Sequence, residues 1–321
     1  MNKNKLYLLA SLLLLTAACG EDEALTTDNM PEEALRLQSV TVPDGNDTRA
    51  SALGAAQLTE VGVYATNNAD AALGSNAQSV YTYKSGNWTA TNPPSINSSI
   101  ETPDKLYAFY PSDLVVTNGG SGGHTVPVKV VPDNFTASAQ TDYLYSGTPV
   151  TAYDGKRSVA FELKHALAKV SFRINKAVEE QLLLKKVEIL SATGRLQTGS
   201  NATMNLTTGV LEGLAVTSSL ELTGATPLDL PSQAQTPNIS SLVAPMKGTE
   251  QKLSFRLTVQ VGDETEARVF ETSVVSGDGV QWLAGHHYTY AIQVNKIGGS
   301  LLGVKIDKWK NDANQNTGIG I

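Results

Sequence analysis

Across 321 residues the chain has a single cysteine, Cys19. No disulfide can form within it, and the body of the chain offers neither a cysteine nucleophile nor a Cys-based zinc site. Histidine is nearly as scarce, at four residues. None stands at the short ligand spacing that zinc sites favour, so neither a metal nor any other cofactor is expected. His286 and His287 are adjacent and point to opposite faces of a strand. His124 follows a glycine-rich loop and is expected in solvent. His165 sits in an apolar segment and is expected in the core, its nitrogens satisfied by backbone. Charged residues are only 17% of the chain and the formal net charge is -7, which argues against a polyelectrolyte tail and against nucleic acid as a partner. There is no GxSxG elbow, and Gly119 to Gly123 lack the helix and Lys-Ser/Thr of a phosphate loop. No catalytic residue and no enzyme is therefore expected. A carboxylate pair at glycosidase spacing is the one enzymatic arrangement that composition leaves open.

Long apolar runs are also missing, with one exception. Leu6 to Leu15 reads LYLLASLLLL, preceded by Lys3 and Lys5 and followed by Thr16-Ala17-Ala18-Cys19. Ten apolar residues are too few to span a bilayer as a helix, so residues 1–18 read as a signal peptide. Small residues ahead of a cysteine resemble a bacterial lipobox (LTAAC), which makes Cys19 a lipidation site. Two or three acyl chains there would anchor the chain firmly to a membrane. Residues 19–34 form a tether rich in Asp and Glu with no basic residue. An acidic run at this place resembles the signal that exports lipoproteins of Bacteroidota to the outer face of the outer membrane.

Hydrophobic residues make up 41% of the chain, enough for real cores. Their periodicity is that of strands, and long helical patterns are scarce. In Leu35 to Val42 the apolar positions change phase, with Leu35 and Leu37 first and Val40 and Val42 later, as at a bulge. Further strands are expected at 58–65, 78–84, 105–110, 126–131 and 143–145, with Pro127 suiting an edge. Tyr81, Tyr83, Trp88, Tyr107, Phe109 and Tyr110 read as core and hairpin packing in preference to a sugar platform. Ser158 to Asn175 alternates at both ends, through Val159, Phe161 and Leu163 and then Val170, Phe172 and Ile174. It reads as one long strand or as two with a bend near His165 to Ala168. Strands are then expected at 183–190, 202–206, 218–222, 239–245, 251–262, 266–275, 286–295 and 300–309. Short strands at this spacing, with turns between them, define an all-β chain of β-sandwiches. A boundary at the Asp154-Gly155 turn divides it into an N-terminal domain, 35–155, and a C-terminal domain, 156–321.

Two places carry no obvious structural purpose. One is DGNDTRASALGA, residues 44–55, where Arg49 stands alone in a polar loop. The other is the C-terminus. There Leu302, Val304 and Ile306 alternate, and a polar stretch leads to Ile319 and Ile321, which suits a strand able to complete another sheet.

Taken together, the lipobox leader, EVGVYA (60–65), YAFYPS (107–112), DYLYS (142–146), FELKHALAKVSFRI (161–174) and the closing GHHYTYAIQVN…VKIDKW resemble the fimbrillin (Mfa-like) lipoproteins, the type V pilins of Bacteroidota. The resemblance covers nearly the whole chain, and F-x-L-x-HALAKV is its most specific piece. It implies two tandem transthyretin-like β-sandwich domains. It also implies a structural subunit (stalk, tip or anchor) of a cell-surface pilus that serves adhesion. An arginine-specific protease would remove a propeptide strand, here residues 35–49, and a strand from a neighbouring subunit would fill the groove. The cut then falls between Arg49 and Ala50, with Arg36 the second choice because it lies inside the first strand. The partners implied are other pilin subunits, the outer membrane through the lipid, and host or bacterial surface ligands. The alternative function is a monomeric surface glycan-binding lipoprotein, for which Ile319 and Ile321 would be dispensable.

Overall fold

A computed structural model describes residues 30–43, 58–121, 123–137, 140–246, 252–275, 280–295 and 298–308. Cys19, Arg49, Ala50, Ile319 and Ile321 lie outside them, and the side chain of Leu301 is likewise not described. Among the described residues there is no α-helix, and twenty-one strands form five sheets. The first ten are β1 (Arg36–Thr41), β2 (Glu60–Thr66), β3 (Gln78–Lys84), β4 (Asn87–Thr89), β5 (Asp104–Tyr110), β6 (Thr125–Val130), β7 (Leu144–Tyr145), β8 (Val150–Ala152), β9 (Ser158–Glu162) and β10 (Lys164–His165). The rest are β11 (Ala168–Lys176), β12 (Leu182–Ser191), β13 (Leu196–Asn205), β14 (Leu211–Glu212), β15 (Ala215–Thr217), β16 (Ser219–Asp229), β17 (Ile239–Val243), β18 (Leu253–Val261), β19 (Arg268–Glu271), β20 (His286–Val294) and β21 (Gly299–Lys308). The all-β class follows from the alternation in the sequence.

The first large sheet runs β10-β7-β5-β2-β3-β4, with β8 also on β5. Its central strand, β2, buries six consecutive residues, Val61 to Thr66, so it is covered on both faces. One face packs with β1 and β9 in a cluster that includes Leu35, Val61, Tyr81, Phe161 and Leu163. The other face sends Tyr64, Tyr107 and Phe109 against Val126, Val128 and Met204 of β6 and β13. Gly62 lies opposite Phe109 in the β2–β5 pair. A Cβ on Gly62 would stand 2.4 Å from the ring carbon Cζ, so only glycine lets the ring lie across the strand.

β6 and β13 share a sheet with β14 and β15, and the other eight strands make a sandwich of β17-β11-β20-β21 over β16-β12-β18-β19. Its core centres on Phe172, Phe255 and Tyr290. The Phe255 and Tyr290 ring centroids are 4.5 Å apart, and the Phe172–Phe255 pair meets edge-on at 5.0 Å. Such aromatic pairs add about 0.5–1.5 kcal/mol beyond the area they bury. Trp282 donates its indole N–H to the Tyr290 hydroxyl at 2.9 Å, so this buried aromatic group has a partner. On the outer face of the second sheet Glu221, Lys186, Glu188, Arg256 and Glu271 alternate in sign across four strands. Exposed pairs of this kind contribute about 0–1 kcal/mol each and mark a solvated face.

The segment Ser158 to Asn175 is two strand regions with a bend. β9 pairs with β1, β10 pairs with β7, and β11 leaves to the second sandwich, where it pairs with β17 and β20. The pairing of residues 158–165 thus continues the N-terminal layers past the Asp154-Gly155 turn, and the crossing itself is Ala166-Leu167, both fully buried. In the other direction, β6 pairs with β13 beyond that turn.

Candidate assembly interface

β1 is the strand around which the functional question turns. It pairs with β9 alone, in parallel, in a two-stranded sheet of its own. Register slips between Leu37 and Ser39, and the slip reconciles the two phases of the alternation. Leu35, Leu37, Val40 and Val42 are consequently all buried, at 0%, 7%, 3% and 2% exposure, in the N-terminal core. Backbone groups hold the strand along its length. Arg36 N–H donates to Arg157 O at 2.8 Å, Leu163 N–H to Thr41 O at 2.7 Å, and Leu35 N–H to Pro94 O at 2.9 Å. Tyr81, fully buried in β3, donates its hydroxyl to Leu35 O at 2.9 Å. Burial alone raises the Tyr81 pKa well above the usual tyrosine range, so the hydroxyl stays a donor at any physiological pH. Arg36 is half-buried and its backbone is engaged in the ladder, whereas Arg49 and Ala50 fall in the stretch outside the described residues.

The other candidate element is β21, an edge strand paired only with β20. Ile306 lies opposite Tyr288 and Val304 opposite Tyr290. Both tyrosines are buried, yet Ile306 is 40% exposed and Val304 half-buried, so the core thins toward this edge. Register slips between Ala291 and Ile292, leaving Leu302 without a partner across β20 and 58% exposed. The regular row of Leu302, Val304 and Ile306 suggested by sequence is thus interrupted by a bulge. An edge strand with exposed apolar residues is a ready template for another chain.

Two histidine expectations need correction. His124 is not solvated: it is fully buried, boxed edge-on by Tyr64 and Tyr107 at ring-centroid distances of 5.3 and 4.8 Å. Strand β6 begins immediately after it and carries it under the aromatic face of the large sheet. Its Nε2 stands 4.0 Å from Asp70 Oδ1, which is itself held by Lys105 at 2.8 Å. His165 is buried as expected, but what satisfies it is a side chain: Nδ1 lies 2.8 Å from Asp142 Oδ2. Among the described residues no three metal-ligating side chains converge.

His287 and His124 together set an acid limit on stability. Burial, and after it the neighbouring Lys169, lowers His287 from the usual 6.5 to about 4, and Asp307 opposes the shift without cancelling it. Burial likewise lowers His124, with Asp70 raising and Lys105 lowering it. A histidine whose folded pKa is depressed is more basic in the unfolded chain, so its stabilisation is complete above about pH 6.5 and is lost as pH falls below that, for His287 down toward about 4. The His287 part alone amounts to about 2–3 kcal/mol. Urea midpoints of the protein should fall between pH 7 and 4.5, and His287→Gln should flatten that fall. An equal fall in the variant would remove His287 as a cause.

Among the described residues the architecture is that of a β-sandwich protein in which one strand has a single ladder partner and one edge carries exposed apolar residues. The sequence profile of the fimbrillin-like family matches residues 48–309. The chain belongs to the fimbrillin-like family. Solved structures of the same fold include a fimbrial protein from Bacteroides vulgatus, 12% identical, with 86% of this chain and 99% of that one covered at a TM-score of 0.57. A candidate cell-adhesion protein from Bacteroides ovatus is 20% identical, with 87% and 98% covered at a TM-score of 0.54. Another from Bacteroides uniformis is 19% identical, with 89% and 100% covered at a TM-score of 0.53. No curated protein matches the chain.

Proposed function

We propose that this chain is a structural, non-enzymatic subunit of a cell-surface type V pilus that serves adhesion, assembled by protease-triggered strand exchange. In this reading residues 1–18 direct export and Cys19 carries the lipid. Two tandem sandwiches follow, and cleavage between Arg49 and Ala50 releases β1. The vacated groove then accepts a strand from the C-terminal region of a neighbouring subunit, β21 with its tail through Ile319 and Ile321. The observation that carries the reading is β1 itself: four apolar side chains seated in a core by a strand that bonds chiefly to one neighbour, just ahead of a lone arginine in a polar stretch. The family match begins at residue 48, after β1, which is consistent with a mature subunit that lacks it. An open groove exposes apolar side chains and unpaired backbone groups, both unfavourable in water, so cutting turns a soluble precursor into one that polymerises head to tail.

The test is direct. Limited trypsin treatment of recombinant precursor should cut first after Arg49 and yield oligomers. Mass spectrometry of the native surface protein should find Ala50 as its N-terminus. Deleting residues 310–321 should stop oligomer growth while the fold survives. A nicked but monomeric product, or filaments from the truncated chain, would sink the proposal.

A further inference from the structure

The second sandwich has two lateral mouths, and they are finished very differently. On one side β19 and β21 are both edge strands, and the exposed Leu302 and Ile306 lie on β21. On the other side the edges are β16 and β17, and there a stretch of chain from before the Asp154-Gly155 turn has been built into both sheets. Phe135 N–H donates to Thr223 O at 2.9 Å, and Thr223 N–H donates to Asp133 O at 3.1 Å. Asn134 thereby forms a parallel bridge with Thr223, a one-residue extension of the β16 edge. Across the gap Ser240 N–H donates to Phe135 O at 2.9 Å, so Phe135 links both sheet edges through its backbone.

Gln140 finishes the β17 edge with a side chain. Its Oε1 accepts from Leu242 N–H at 2.7 Å, and its Nε2 donates to Leu242 O at 2.7 Å. One carboxamide thus supplies the donor and the acceptor that a neighbouring strand would have supplied. Ser241 adds its hydroxyl to the same oxygen at 3.0 Å. In the antiparallel β17–β11 pair, alternate residues turn their backbone groups outward, and Ser240 and Leu242 share that parity. Their outward N–H groups are therefore both occupied. The Phe135 ring belongs to the buried core of the sandwich. Room for it comes from β16, whose pairing with β12 jumps from Thr223 to Leu228. Gly224 lies in that jump, and a Cβ there would stand 2.6 Å from the Phe135 ring and 2.7 Å from Thr226 O.

We infer that Asp133 to Ala137 together with Gln140 form an intramolecular stopper, which occupies the β16/β17 mouth so that a second copy of this chain cannot add a strand there. A buried, regular edge such as β17, apolar at Ile239, Leu242 and Val243, pairs readily with another chain once uncovered. Gln140 and Phe135 meet its outward groups with the geometry of a strand but end after a single residue each, so pairing cannot propagate. This inference needs no strand exchange and does not depend on the proposed pilus role.

The experiment uses the uncut full-length precursor. Gln140→Ala should self-associate over a concentration series, followed by light scattering, in a range where the wild type stays monomeric. Exchange of the Leu242 amide hydrogen should be about tenfold faster in the monomeric variant. Adding Ser240→Pro, which removes an outward donor of β17, should restore the monomer. Should Gln140→Ala fail to fold, Gln140→Glu carries the same test, because it keeps an oxygen for Leu242 N–H and sets an acceptor against Leu242 O where the donor stood. The inference is overturned if the folded variant stays as monomeric as the wild type, or if association survives Ser240→Pro.

Discussion

A chain lacking residues 30–43 is expected to lose its independent stability and to regain it when that segment is returned as a separate peptide. Leu35, Leu37, Val40 and Val42 are buried almost completely in the N-terminal core. At about 1.5–3 kcal/mol for each fully buried side chain, removal of the four forfeits on the order of 6–12 kcal/mol, as much as the whole stability of many domains. The loss does not stop at the side chains. Tyr81 keeps a buried hydroxyl whose partner, Leu35 O, is gone, and Leu163 N–H loses Thr41 O. Each donor left buried without a partner adds about 1–3 kcal/mol. The truncated chain should therefore bind an apolar dye and aggregate. A synthetic peptide of residues 30–43 should restore a cooperative urea transition, and the same peptide with Leu37→Asp and Val40→Asp should not. A truncated chain that remains a monodisperse monomer with an unchanged urea midpoint would show that β1 is an ornament on the core and not part of it.

How far this could be read from sequence depended on whether a feature is local or arises from meeting of distant segments. The all-β class, the bulge in Leu35 to Val42 and the bend at Ala166-Leu167 were legible, because alternation and its change of phase are written in neighbouring residues. The burial of Tyr81, Tyr107 and Phe109 was legible for the same reason. The company that residues keep was not. His124 follows glycines that read as a loop, and only the fold brings Tyr64 and Tyr107 around it. The Leu302 bulge was hidden because a register slip belongs to a pair of strands, and β21 alone alternates well. Gln140 and Phe135 carried no signal at all: they stand in an irregular polar stretch, and the partners that give them a task, Leu242 and Thr223, are about a hundred residues away. Of the candidate interface, the phase-shifted strand at 35–42 and the alternating strand near the C-terminus were visible as patterns, while the hydroxyl of Tyr81 that pins β1 was not.

The largest effect of point substitution is expected at the crossing between the two halves of the chain. Asp142 and His165 are 1% and 6% exposed, with Oδ2 and Nδ1 2.8 Å apart. They come from DYLYS and HALAKV, the two motifs that β7 and β10 pair across, His165 opposite Leu144. Ala166 N–H then donates to Tyr143 O at 2.9 Å, so the chain is held by backbone and side chain just where it leaves the first large sheet for the second sandwich. Removing one member of a buried, hydrogen-bonded pair leaves the other desolvated without its partner. His165→Ala, which strands the Asp142 carboxylate, should therefore cost about 3–5 kcal/mol. Asp142→Ala should also destabilise, because it takes away the oxygen 2.8 Å from His165 Nδ1. In the double variant neither group is stranded, so the two effects should fail to add, with a coupling of about 1–3 kcal/mol recovered. Urea unfolding of the four proteins measures it. Strict additivity would mean that the 2.8 Å contact does not couple the two residues, and that the crossing is held by the β7–β10 ladder and the burial of Ala166 and Leu167 alone.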